Sequence, residues 1–236
     1  MIKTIVQVHK DYNSSEERMR EKIEKVAEEI TNFGNIFTTN YDLYLYWIIM
    51  NIKERDEKQE NHYQDLFWYK KDENEYTYFA GKPLGCSKKI FYLHGALFIY
   101  QKYYSEQKKI KRNKAEKLID LISKEIHRGN IPIFISESEG RIKEEAIRKN
   151  EYLNFCLQEL EASNNPIMIF GNTLYQVDKH LIEAIKKTQR NIYYCIYTKG
   201  KNLSSILKEK HSFSEKFNIE KWNVEFVDAE TVFKLN

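Results

Sequence analysis

The sequence predicts an α/β fold, a mostly parallel sheet with helices on both faces, and three observations predict it. Short apolar runs rich in β-branched and aromatic residues alternate with amphipathic stretches of helical period. Three of those runs stop at unusual polar or glycine-containing segments, as strands do where a chain crosses from sheet to helix. A length of 236 residues, with 42% hydrophobic and 31% charged side chains, suits one globular domain with a sizeable core.

Taken in order, IKTIVQVH at 2–9 reads as a short strand or a docking arm. Ser14-x-x-Glu17 forms a capping box, and Met19, Ile23, Val26 and Ile30 then follow on one helical face. Asn35–Thr38 is a short strand that runs into Phe37-Thr38-Thr39-Asn40-Tyr41-Asp42, and Tyr41–Met50, apolar nearly all round, predicts a buried helix. Residues 51–88 are charged, with scattered aromatics and turn signals at Gly81, Pro83 and Gly85. They read as a surface insertion with a hairpin around Tyr76–Phe79.

Ile90–Leu93 is a strand that ends at His94-Gly95 and resumes as Ala96–Tyr100. A long helix is expected over 108–128, with Leu118, Ile119, Ile122 and Ile126 inward and Gly129 at its C-cap. Ile131–Ile135 is a strand, and 141–162 a helix carrying Ile147, Leu153, Leu157 and Leu160. The strand Ile167–Phe170 stops at Gly171-Asn172-Thr173-Leu174. Helix 176–188, strand 192–197, a short helix near 203–210 and strand 224–227 complete the alternation. There is no internal repeat and no low-complexity segment, so 1–236 reads as a single domain.

Composition excludes several classes. A net charge of +3, from 38 basic and 35 acidic residues, is too balanced for a nucleic-acid surface. The cluster KKIKRNK at 108–114 reads as a solvated helix start. No apolar run approaches the roughly 20 residues that span a bilayer, and the N-terminus lacks signal-peptide architecture, so a cytoplasmic protein is expected. Cys86, Cys156 and Cys195 form no CxxC pair and read as buried small apolar residues. No metal is expected. Glu137 and Glu139 follow strand 131–135 without the further carboxylates a metal-dependent nuclease needs. His9, His62, His127 and His211 stand among polar residues and read as surface, and the 17 Tyr and 13 Phe fall at core spacing.

The strand ends admit two readings. An Asn or Asp after a strand is commonly a helix cap or turn residue, and His-Gly is commonly a turn. Gly171 could simply allow tight packing. Yet in open parallel sheets ligands sit outside the carboxyl ends of the strands, and three such segments recur here at successive junctions.

FTTNYD, YLHG and FGNTL, in this order, resemble the sirtuin-like (silent information regulator-like) NAD-binding family, nearest its divergent bacterial branches, over about residues 37–185. The resemblance implies a Rossmann-like fold that holds NAD or ADP-ribose and cuts the nicotinamide–ribose bond. Asn40 would orient the nicotinamide amide or the attacking water, Asp42 would hold the nicotinamide end, and His94 would act as base. Gly171, Asn172 and Thr173 would approach ribose and phosphates, and Thr38, Thr39, Gly95 and Asp178 would complete the cofactor contacts. Asp178 reads equally as an ordinary first-turn acid of its helix.

NAD hydrolysis in anti-phage defence is the role implied. The alternative is a non-catalytic NAD- or ADP-ribose-binding or protein-interaction module, as a homo-oligomer or with a partner protein. The chemistry suits the set. Nicotinamide leaves as a neutral molecule, so no strong general acid is required. The oxocarbenium-like ribose left behind wants a carboxylate nearby and a base for the incoming oxygen.

Two departures shape the expectation. Such proteins open with a strand and a Gly-rich diphosphate loop, whereas the first glycine here is Gly34. The chain is then an N-terminally truncated relative, or receives the loop from another polypeptide, or no longer binds NAD in the family's way. The four-cysteine zinc module of the protein deacylases is also missing, with only Cys156 between His94 and Gly171. NAD hydrolysis is therefore preferred over deacylation.

Overall fold

The structure, a computed structural model, describes residues 16–58, 60–69, 76–82, 88–102, 106–111, 117–135, 140–217 and 222–233. The expected arm at 2–9, His9, Ser14 of the capping box, Cys86, Arg112–Lys114, Glu137 and Glu139 lie outside the described residues.

Helix α1, Glu16–Ile30, buries Ile23, Ala27 and Ile30, the four-then-three spacing of a single helical face. After Gly34 the chain enters strand β1, Asn35–Thr38, and then α2, Tyr44–Arg55. Arg55 reaches back to Glu24 of α1 at 2.9 Å. Contacts along the chain gather it into two compact units: residues 1–135 with 147–156, and residues 136–146 with 157–236.

The first unit holds two sheets. Strand β5, Lys88–Tyr92, lies between β1 and the short β2, Tyr63–Gln64, and both pairings are parallel. The second sheet is antiparallel, in the order β3-β4-β7-β6-β8. Its strands are β3 (Phe67–Tyr69), β4 (Tyr76–Phe79), β6 (Gly95–Lys102), β7 (Glu106–Ile110) and β8 (Pro132–Phe134). Helix α3, Leu118–His127, precedes β8. The core is aromatic: Phe91, Phe98, Tyr100 and Tyr152 are fully buried, and Tyr152 packs 4.8 Å from Phe67 and 5.2 Å from Phe79.

The second unit is built on a parallel sheet in the order β11-β10-β9, with β9 Ile167–Ile169, β10 Ile192–Ile196 and β11 Val224–Asp228. A 3₁₀ turn at Gln176–Asp178 leads into α6, Lys179–Lys186. Helix α7, Leu203–Lys216, lays Phe213 on Tyr194 with ring centroids 4.0 Å apart. Helix α8, Ala229–Phe233, is a short element the sequence pattern does not suggest. Helices α4, Gly140–Lys149, and α5, Glu151–Ala162, contribute residues to both units.

The α/β class therefore stands, while the mostly parallel sheet is replaced by two parallel three-stranded sheets and an antiparallel five-stranded one. The difference arises in two places. The stretch 51–88, expected as a surface insertion, sends Tyr63, Leu66 and Phe67 into the core, and the Tyr63 hydroxyl donates to the Ile30 carbonyl at 2.7 Å. Tyr76–Phe79, expected in a hairpin, is strand β4, paired antiparallel with β3 and β7.

Residues 108–110, expected to begin the helix 108–128, instead belong to the polar strand β7 between β4 and β6. Its ladder bonds override the charged pattern: the buried Lys108 sets its ammonium 3.7 Å from the Tyr76 ring centroid, and Lys109 pairs with Asp65. Helix α2 also differs, because Ile52 is its only fully buried residue. The expected helix 141–162 is two helices, divided at Asn150, whose Oδ1 accepts the Leu153 N–H at 3.0 Å and caps α5.

Candidate functional site

In the first unit the residues singled out from the sequence meet at the carboxyl ends of two neighbouring parallel strands. Thr38 ends β1 opposite Tyr92 of β5, and the Leu93 N–H donates to the Thr38 carbonyl at 2.9 Å. The segment Thr39–Asp42 thus leaves its strand beside His94-Gly95. His94 is buried, 2% exposed, and its carbonyl accepts the Ile135 N–H at 3.0 Å. Tyr41 crosses above this turn: its hydroxyl donates to the Ile135 carbonyl at 3.2 Å and its own carbonyl accepts the Leu97 N–H at 3.4 Å. Its ring meets Phe134 edge-on at 6.3 Å.

Local bonds account for part of the motif. Thr38 Oγ1 accepts the Asn40 N–H at 3.1 Å, and Asp42 Oδ1 accepts the Tyr44 N–H at 3.0 Å, capping the first turn of α2. Gly95 has a structural requirement of its own. Its φ is +87°, and a Cβ there would fall 2.0 Å from the Ile133 carbonyl oxygen of β8. The turn reading thus explains Thr38, Asp42 and Gly95. It leaves Asn40, exposed at the strand end, and the buried imidazole of His94.

Gly171, Asn172, Thr173 and Asp178 belong to the second unit. Gly171 is exposed at φ +67° with open space around it, so its backbone conformation alone calls for glycine. Asn172 Oδ1 accepts the Leu174 N–H at 2.7 Å, an Asx turn that holds Leu174 at φ +47°. The Thr173 carbonyl accepts from Lys216 Nζ at 2.8 Å, and burial lowers the pKa of that ammonium. Asp178, an expected cofactor contact, pairs with Lys143 Nζ at 2.6 Å, the two side chains 13% and 3% exposed. The carboxylate's primary task is to balance that buried charge. Nearby in the same unit, His180 is buried at the start of α6.

A family model described as Domain of unknown function (DUF4917) matches residues 1–233. The chain belongs to that family. No curated protein matches the sequence.

Two residues of this DUF4917 chain were not singled out from the sequence. Lys143 sits among charged residues of α4, where a solvated face is the natural reading, and only the fold reveals it as 3% exposed. Tyr41 is one tyrosine among 17, so its composition gives no signal. Its place inside the Asn40/Asp42 segment does, because a bulky side chain between two candidate ligand groups needs an anchor. Of the cysteines, Cys156 and Cys195 are buried thiols, and burial pushes the Cys195 thiol up to about 11. His127 and His211 are exposed as expected, while His62 is half-buried and contacts the Asp56 carbonyl at 3.0 Å.

Proposed function

We propose that this protein binds NAD at the carboxyl edge of the β1–β5 pair and hydrolyses its nicotinamide–ribose bond. The observation that carries the reading is the juxtaposition of the Thr38–Asp42 segment with His94 across one parallel register, Thr38 against Tyr92. This is the edge at which parallel α/β sheets take nucleotides, and on this reading the pair is part of a Rossmann-like arrangement.

The roles follow from the chemistry. Asn40 presents a carboxamide that matches the donor and acceptor of the nicotinamide amide. Asp42, oriented by its bond to the Tyr44 N–H, places a carboxylate where positive charge develops on the ribose. The bond to nicotinamide breaks with its electron pair going to the departing neutral base. A water oxygen then bonds to the anomeric carbon and gives its proton to the His94 imidazole. The products are nicotinamide, ADP-ribose and one proton. Depletion of NAD by this route would serve defence against phage.

A second reading is favoured by the sequence before Phe37, where the first glycine is Gly34 and no diphosphate loop is written. On that reading the same edge holds ADP-ribose or NAD without cleaving it. Purified protein incubated with NAD, with nicotinamide followed by chromatography and ADP-ribose binding by calorimetry, separates the two. Nicotinamide release supports hydrolysis, binding without release supports the module, and neither removes both.

A further inference from the structure

The hydroxyl of Tyr41 ties the two halves of the β1–β5 edge together, and we infer that Tyr41 is a positioning residue for the reaction proposed there. The inference rests on that reading of the edge. Its basis is one residue, Ile135, whose two backbone groups make one bond each. The Ile135 N–H donates to the His94 carbonyl at 3.0 Å, and the Ile135 carbonyl accepts from the Tyr41 hydroxyl at 3.2 Å. The Asn40/Asp42 segment and the His94 turn are thereby fastened to the same point at the end of β8, although 52 residues separate Asp42 from His94 in sequence. Two further bonds close the arrangement, Leu97 N–H to the Tyr41 carbonyl at 3.4 Å and Leu93 N–H to the Thr38 carbonyl at 2.9 Å.

The division of labour is chemical. The neighbours of Tyr41 carry the groups suited to ligand, a carboxamide at Asn40 and a carboxylate at Asp42. Tyr41 directs its own hydroxyl into the protein, and its ring meets Phe134 edge-on. Loss of the hydroxyl would leave the segment's backbone bonds in place but free the loop to shift by fractions of an ångström relative to the His94 turn. Misplacement of reacting groups on that scale lowers turnover more than it lowers binding. Tyr41 touches no reacting atom in this account and is not a catalytic residue.

Tyr41→Phe tests the inference, since it removes one oxygen and keeps the ring against Phe134. With NAD as substrate, kcat should fall about tenfold, the equivalent of one hydrogen bond, while KM stays within about twofold. Tyr41→Leu should fall further, through loss of the ring contact. Amide hydrogen exchange provides a reading that needs no turnover: in Tyr41→Phe the Asn40 and Leu97 amides should exchange about tenfold faster, with those of β9–β11 unchanged. A wild type that releases no nicotinamide would sink the NAD reading, and unchanged exchange at Asn40 and Leu97 would sink the Tyr41 inference independently. A variant with wild-type kcat, or with its whole loss in KM, overturns the positioning role.

Discussion

Gly95 shows how a residue that looks functional can be fixed by packing. With φ at +87° and the Ile133 oxygen 2.0 Å from any added Cβ, alanine there must push β8 away from β6. Gly95→Ala is expected to cost about 3 kcal/mol or more of stability in urea titration, whatever the ligand. The Lys143–Asp178 pair behaves similarly: Lys143→Met strands a nearly buried carboxylate, and a loss of about 3–5 kcal/mol is expected by the same measurement. Cys195, its thiol raised to about 11 by burial, should resist iodoacetamide at pH 8 in the native protein and react on unfolding, as peptide mass mapping will record.

Among the elements, helix α3 carries a buried carboxylate, Glu125. Burial by itself would raise the pKa of Glu125. Hydrogen bonds from Tyr76, Arg128 and Asn130, with the charge of Lys108, outweigh it and bring the net shift below the usual 4.5. A depressed carboxylate stabilises the fold fully above its unfolded pKa and loses that contribution as pH falls through the folded one. The stability gap between wild type and Glu125→Gln should therefore be constant above about pH 5 and close as the solution is acidified below that. A gap that widened on acidification would contradict the assignment.

The sequence made some elements legible and hid others for physical reasons. Strands β1, β5, β9, β10 and β11 are short apolar runs, and the structure places them within a residue or two of the expectation, as it does Gly129 just beyond α3. Strand β7 was illegible because a strand paired on both sides draws its stability from backbone bonds, while Glu106-Gln107-Lys108-Lys109 carries no apolar alternation. The break at Asn150 was hidden because an Asn within a helical period reads as a tolerated polar residue until its side chain is found capping Leu153. Of the candidate site, the order of motifs was legible. The commitment of Asp178 to Lys143 was not, since it joins residues 35 apart through folding alone.

For the molecule as a whole, the proposed chemistry lies in the first unit and requires nothing of a membrane. Among the described residues no helix is long and apolar enough to cross one. A nearly neutral chain of +3 offers little long-range attraction to a polyanion, so NAD capture should depend on local groups and vary little with salt. On the proposed mechanism His94 removes the proton from attacking water at the β1–β5 edge. The most direct measurement compares nicotinamide release from NAD by the wild type and by His94→Ala at equal protein concentration. Turnover by the wild type is expected, with a loss of about 10²–10⁴-fold in the variant, its fold intact by circular dichroism. Equal release by both proteins would contradict it.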